Sequence, residues 1–300
     1  MSLLNTLIVK TLPLVPKSII KSVAKRYIAG DSLSDAVRVT QELSARGASS
    51  TIDVLGEFVT SRERSLHEWQ TATSVIEAID KHHLNSYLSV KLTSLGLDID
   101  REFAFANVRS LVEKAAELGI FVRMDMENSP YTSVTLDFYR RLRAEGFENV
   151  GVVLQAYMRR SEDDIRSLLA LKPSVRLCKG IYIESEDIAF KQPDEIRANY
   201  KKLLRLLLDG GANVRFATHD DELIDDAIQF VTQNNIAKSQ YEFQMLLGVR
   251  EERRNEIIRS GFGMRIYVPF GSDWYGYSTR RLKENPQVAG YVLKAMFVRG

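Results

Sequence analysis

Two adjacent arginines, Arg280 and Arg281, stand near the C-terminal end of the chain in the string YSTRRLKE, which runs from Tyr277 to Glu284. Two readings fit. On a solvated helix face, Glu284 gives the arginines i,i+3 and i,i+4 partners worth roughly 0.2–0.5 kcal/mol each. Alternatively, two guanidinium groups present planar forks of donors suited to one carboxylate, which requires a pocket and a reaction to serve. Polar residues that could line such a pocket punctuate the apolar runs of the chain: Asp53, Glu57, Lys91, Asp125, Glu127, Gln155 and Tyr157, then Arg176, Lys179, Tyr182, Thr218, His219, Asp220, Glu242, Gln244 and Tyr267. Any one has a plain explanation, since a lone lysine or aspartate is often half of a structural ion pair and a lone histidine is usually satisfied by neighbours. Gathered at one end of a fold, they would cost desolvation unless they paired or bound something.

Several chemistries find little support. No G-x-S-x-G turn is present, and Cys178, the single cysteine, lies in the apolar run VRLCKGIY, where an inert thiol is expected rather than a nucleophile. Of four histidines, His67, His82 and His83 fall together on one helical stretch, so no catalytic metal is expected. Neither a G-x-G-x-x-G turn opening a helix nor a Walker loop appears, so any nucleotide cofactor must be held another way.

The elements that would position these residues are regular. From residue 51 onward, TIDVLGE, YLSVKLT, FVRMDME, VGVVLQAY, VRLCKGIY, VRFATH, YEFQML and RIYVPF read as strands. Stretches with helical spacing separate them, at 66–81, 105–118, 135–145, 161–171, 194–208, 222–232 and 250–260, and Gly119, Gly146, Gly210 and Gly261 fit helix C-caps. Eight β–α units suit a closed (β/α)8 barrel better than an open sheet, whose edge strands would need cover. In such a barrel the C-terminal strand ends build the active site. Residues 1–48, with a helix over 34–48, are expected to form an N-terminal helical extension, and the absence of a Gly/Ser-rich or Pro-rich linker predicts one domain over 1–300.

Composition is that of an ordinary globular protein: 300 residues, 45% hydrophobic, 27% charged, net charge +2. No nucleic-acid partner is expected from this balance, and a single cysteine suits a reducing, cytoplasmic compartment. The first thirty residues interleave leucines, isoleucines and valines with Lys10, Lys17, Lys21, Lys25 and Arg26, with no acid before Asp31. Pro13 and Pro16 interrupt this stretch, which is too short to span a bilayer. It is expected to pack on the main fold, with peripheral contact to an anionic membrane as the alternative.

The strings VKLTSLGL, MDME, VLQAYMRR, VRLCKGIY, ATHD, YEFQMLLG, YVPFG and YSTRRLKENP resemble, in order and spacing, the motifs of the FAD-dependent proline dehydrogenase family. The Y-x-x-R-R-x-x-E pattern is intact at Tyr277, Arg280, Arg281 and Glu284. The resemblance implies a distorted (β/α)8 barrel binding FAD at the C-terminal strand ends. It implies oxidation of L-proline to Δ1-pyrroline-5-carboxylate by hydride transfer to flavin N5, with electrons passed to a membrane quinone. A monofunctional enzyme of bacterial type is implied too, since little sequence follows the last motif to supply the aldehyde dehydrogenase domain fused to some relatives. Carried over by motif, Asp125 and Arg176 are the catalytic pair, and Lys91, Tyr267, Arg280 and Arg281 bind substrate. Met126, Gln155, Arg176, Lys179, Gly180, Ile181, Thr218 and His219 contact FAD, and Glu284 pairs within the helix that closes over substrate.

The residue chemistry agrees with these roles. Fixed cations such as Arg176 and Lys179 stabilise negative charge arriving on a flavin, and Gly180 leaves room for a phosphate to approach the backbone. Asp125 complements the cationic end of proline. The rival reading is a Schiff-base aldolase-type barrel using Lys91 or Lys179; others are a non-catalytic amino-acid-binding barrel and a flavoenzyme for a related cyclic amine such as hydroxyproline.

Overall fold

The computed structural model describes residues 25–275. Eight strands form a closed, wholly parallel barrel in chain order, β8 pairing back to β1 through a register that sets Ser49 against Arg265 and Val54 against Phe270. The strands are β1 Ser49–Val54, β2 Ser86–Val90, β3 Val122–Met124, β4 Val150–Gln155, β5 Ser174–Cys178, β6 Asn213–Ala217, β7 Tyr241–Leu246 and β8 Met264–Phe270. A leading helix, α1 Leu33–Ser44, packs on β1 and β8. The helices that follow successive strands are α2 Arg62–Lys81, α3 Arg101–Glu117, α4 Ser129–Ala144, α5 Ser161–Leu168, α6 Pro193–Asp209, α7 Asp221–Gln233 and α8 Glu251–Arg259.

Strand alternation sorts the side chains onto two faces. Leu88, Val122, Val152, Leu154, Val175, Leu177, Val214, Phe216, Ile266 and Val268 are all buried in the apolar layer shared with the helices. The intervening positions, which face the barrel axis, are largely polar. Helix α6 illustrates the outer layer: Tyr200, Leu203, Leu204, Leu207 and Leu208 are buried at helical spacing. Each such side chain contributes roughly 1.5–3 kcal/mol on burial, and Pro193 in the first turn starts the helix.

Boundaries shift slightly from the sequence expectation. The helix read over 161–171 ends at Leu168 and tightens into a 3-10 turn before left-handed Lys172. At the end of α6 the left-handed residue is Gly211 rather than Gly210, which closes the helix with φ −77°. Among the described residues no helix is long and apolar enough to cross a membrane.

Candidate active site

Asp125 follows β3 directly, and its carboxylate is buried among donors from three other strands. Arg176 Nη1 and Ser89 Oγ donate to Oδ1 at 2.6 and 2.8 Å, and the Tyr267 hydroxyl donates to Oδ2 at 2.6 Å. Burial alone would raise its pKa; the charges of Arg176 and Lys91 with these hydrogen bonds outweigh that and hold it below the usual carboxylate value. The Tyr267 phenol is pushed well above its ordinary value by burial and by Asp125 and Asp53, so it stays a donor.

Arg176 is held on two sides. Its Nε donates to Gln244 Oε1 at 2.7 Å, its Nη1 engages Asp125, and the guanidinium lies over the Tyr267 ring with 5.2 Å from Cζ to centroid. Nη2 is buried with no hydrogen-bond partner among the described residues. Lys91, just beyond β2, donates to Asp53 Oδ1 at 2.7 Å, with Asp125 Oδ2 at 3.9 Å and the Tyr267 oxygen at 3.4 Å. Burial opposes the lysine charge, but Asp53 and Asp125 prevail and raise its pKa. Asp53 is pushed up to about 6, burial outweighing the attraction of Lys91.

This network floors a cavity of about 700 Å³. Around it stand Lys91, Asp125, Met126, Gln155, Arg176, Lys179, Gly180, Ile181, Thr218, His219 and Tyr267, every described position that the sequence singles out as catalytic, substrate-binding or cofactor-binding. Arg280, Arg281 and Glu284 lie outside the described residues. The β6 end is tied to β7, where the backbone N–H of Leu246 donates to His219 Nε2 at 3.0 Å, which fixes the ring proton on Nδ1. Asp220 sits at the N-cap of α7 yet makes no side-chain cap bond; its Oδ2 instead takes Lys179 Nζ and Arg197 Nε, each at 3.0 Å, so Lys179 is anchored at the rim. Asp220 in turn donates its backbone N–H to Thr218 Oγ1 at 3.2 Å.

Other positions differ from expectation. Gly180 has φ +108°, and a Cβ there would lie 2.1 Å from the Tyr157 ring, so its freedom is needed first for packing against the turn that follows β4. Glu242 lies below the mouth, where Oε1 accepts from Arg265 Nε at 2.8 Å and Gln244 Nε2 at 2.7 Å. Cys178 lines the cavity with its thiol pushed up to about 12 by burial, which leaves it protonated and inert. Sequence reasoning misses Ser89, a hydroxyl unremarkable within a strand, and Tyr27, which lines the mouth from the segment before α1. It also misses the layer beneath the site, formed by Arg123, Arg215 and Arg265. Their signal was legible, because each lies two residues before an inward position, at Asp125, Ala217 and Tyr267.

The proline dehydrogenase family model matches residues 36–293 of this chain. Proline dehydrogenase 1 of Bacillus subtilis (strain 168) is 41% identical over 273 residues, covering 91% of this chain and 90% of that protein. The chain belongs to the proline dehydrogenase family. Proline dehydrogenase of Deinococcus radiodurans is 36% identical over 279 residues, with 92% of this chain and 90% of that protein covered. Among solved structures, proline utilization A (PutA) from Bdellovibrio bacteriovorus inactivated by N-propargylglycine superposes with a TM-score of 0.82 at 26% identity. That match covers 88% of this chain and 33% of the PutA chain, so the family barrel here corresponds to a third of that longer polypeptide.

Proposed function

We propose that the protein is an FAD-dependent dehydrogenase that oxidises L-proline to Δ1-pyrroline-5-carboxylate and passes the electrons to a membrane quinone. The observation that carries this reading is the buried Arg176–Asp125 pair on the floor of the cavity, with Arg176 Nη2 left without a partner among the described residues. A buried guanidinium N–H without an acceptor is costly, and a flavin provides acceptors. The cavity volume suits a cofactor together with a small substrate. Met126, Gln155, Arg176, Lys179, Gly180, Ile181, Thr218 and His219 would hold the FAD, which when bound supplies the acceptor for the hydride from the ring carbon next to nitrogen.

The remaining chemistry falls to the chain. Lys91 stays cationic and disfavours a second positive charge beside it, which favours the neutral amine form of proline needed before hydride departure. Asp125 then stabilises the positive charge that grows on nitrogen as the C=N bond forms. Tyr267 and Ser89 hold the Asp125 carboxylate in place, and Arg280 and Arg281 provide the fork for the substrate carboxylate. The aldolase alternative fits less well. A Schiff-base lysine needs a depressed pKa, whereas Lys91 is driven the other way and Lys179 is paired with Asp220.

The test is the visible spectrum of the purified protein, recorded anaerobically before and after L-proline. A flavin spectrum bleached by proline supports the proposal. A colourless protein, or a flavin that proline leaves oxidised, refutes it. The same experiment with hydroxyproline measures substrate preference, and flotation with anionic liposomes tests membrane contact by the basic N-terminal residues.

A further inference from the structure

Beneath the cavity, a chain of hydrogen bonds crosses the barrel axis and reaches Arg176 and Asp125 through two residues that the proposed chemistry does not use, Glu242 and Gln244. Glu242 Oε1 accepts from Gln244 Nε2 at 2.7 Å, and Gln244 Oε1 accepts from Arg176 Nε at 2.7 Å. Arg176 Nη1 then donates to Asp125 Oδ1 at 2.6 Å. Each link has a forced polarity. An arginine can only donate and an ionised carboxylate can only accept, so the Gln244 amide is specified from both ends: oxygen toward Arg176, nitrogen toward Glu242.

The Glu242 end is well supported. Arg265 Nε donates to the same oxygen at 2.8 Å, while Arg265 Nη1 donates to Ser50 O at 2.6 Å and its guanidinium stacks over Tyr87 with 3.5 Å from Cζ to centroid. Arg215 Nε stands 3.6 Å from Glu242 Oε1, beyond hydrogen-bond reach but close enough to add its charge. Arg123 lies fully buried nearby, donating to Val152 O, Ser174 O and Ser174 Oγ. The layer holds three buried or half-buried arginines against one carboxylate. Burial would raise the Glu242 pKa, but Arg265 and Arg215 outweigh it and hold the carboxyl below its usual value, so the acceptor at the base of the relay is charged at neutral pH.

We infer that Glu242 is a positioning residue: through the Gln244 amide it fixes the plane of the Arg176 guanidinium, so that Nε and Nη1 are both occupied within the protein and Nη2 is reserved for a ligand. Glu242 does not line the cavity, whereas Gln244 and Arg176 do. Its hydrogen-bonded path to the cavity therefore runs through Gln244. The consequence for the bound cofactor rests on the FAD reading given above; the geometric claim about Arg176 does not.

The charge polarity of the relay can be exchanged. Glu242→Gln replaces a group that can only accept by an amide that can also donate, so the 242 end no longer dictates the orientation of the Gln244 amide and only the Arg176 end still does. In the double variant Glu242→Gln, Gln244→Glu, a carboxylate at 244 accepts from Arg176 and from the amide nitrogen at 242, so the direction of every bond reaching Arg176 is restored. The first readout needs no cofactor: the arginine Nε–H resonance of Arg176 in 15N-labelled protein, assigned by its loss in Arg176→Lys. Glu242→Gln is expected to shift or broaden it, and the double variant to bring it back. A folded Glu242→Gln protein with an unchanged resonance overturns the proposal, as does a folded double variant that fails to recover it. If Glu242→Gln alone does not fold, the double variant decides.

The second readout is the two-electron midpoint potential of bound flavin. We expect Glu242→Gln to lose about tenfold in preference for the reduced over the oxidised cofactor, a fall of about 30 mV, with recovery in the double variant. A wild-type protein that binds no flavin would defeat the proposed function while leaving the resonance experiment to judge Glu242 by itself.

Discussion

The hydroxyl of Tyr267 on β8 and the guanidinium of Arg176 on β5 grip opposite oxygens of the Asp125 carboxylate, each at 2.6 Å. Removing that carboxylate strands a buried guanidinium as well as a hydroxyl. We expect Asp125→Ala to cost about 3–5 kcal/mol of stability, the usual penalty for breaking one side of a buried ion pair, and to slow flavin reduction at least about 100-fold, equivalent to some 2.7 kcal/mol of transition-state stabilisation. Urea unfolding and anaerobic stopped-flow reduction by proline measure the two effects separately. A variant that keeps wild-type reduction kinetics would take Asp125 out of the mechanism.

Replacing Lys91 by Met should be milder for the fold. Its partner Asp53, already pushed up to about 6, can take a proton and become neutral in place. The kinetic consequence follows from charge. Without a cation beside it, the substrate amine holds its proton more tightly, so the acidic limb of the pH–rate profile should move to higher pH and the half-saturating proline concentration should rise. A profile superposable on wild type would contradict this role for Lys91.

Glu127 supplies a pH dependence of stability. Burial pushes its pKa up to about 7, against hydrogen bonds from the Thr93 N–H and hydroxyl. A carboxyl that binds its proton more tightly when folded stabilises the protein below the unfolded value near 4.5, and that stability is lost as pH rises through 7. Gln can accept the Thr93 N–H and donate to its hydroxyl, so Glu127→Gln should gain on wild type by roughly 3 kcal/mol between pH 4.5 and 8, at about 1.4 kcal/mol per pKa unit. Denaturant melts of both proteins across that range give the difference directly; a constant offset would show that Glu127 titrates alike in the folded and unfolded protein.

Gly180→Ala combines an unfavourable backbone conformation with a collision against the Tyr157 ring. We expect a loss of about 2–4 kcal/mol, the backbone share being roughly 1–3 kcal/mol, together with weaker flavin retention. Adding Tyr157→Ala should remove the clash but not the backbone strain, restoring part of the stability. Full restoration would mean that φ at this position is cheap to change.

The barrel was legible because its strands are buried against helices on one face only, so Ile52, Leu88, Val122 and Ile266 write a clear apolar alternation into the sequence. The charged site residues were legible for a related reason: Lys91 and Asp125 are charges at the end of apolar runs and Arg176 is a charge within one, where burial must be offset. What the sequence hid is pairing. Nothing in the order of residues tells that Asp53 rather than Asp125 takes the shorter contact with Lys91, or that Asp220 leaves its helix cap for Lys179 and Arg197. Those choices are made by register across strands and by loop paths, which set distances that no local pattern encodes. Tyr27 was unreadable for the same reason, since it reaches the mouth only because the segment before α1 runs alongside β8, with the Ala29 N–H donating to Pro269 O at 2.9 Å.

The polar groups of the site come from all eight strands or the residues just beyond them, and β1 completes the ring by pairing with a strand more than two hundred residues away, Ser49 against Arg265. A sheet short of that last seam would keep Lys91 near Asp125 and, through the β1–β2 pairing, near Asp53, but without Tyr267 closing over them. In a refolding experiment, helix content and collapse can therefore return early, whereas proline turnover must wait for the slowest, most non-local pairing in the molecule. Activity is thus a clock for ring closure, and any long-lived intermediate with an open seam would be one with native-like circular dichroism and no catalysis.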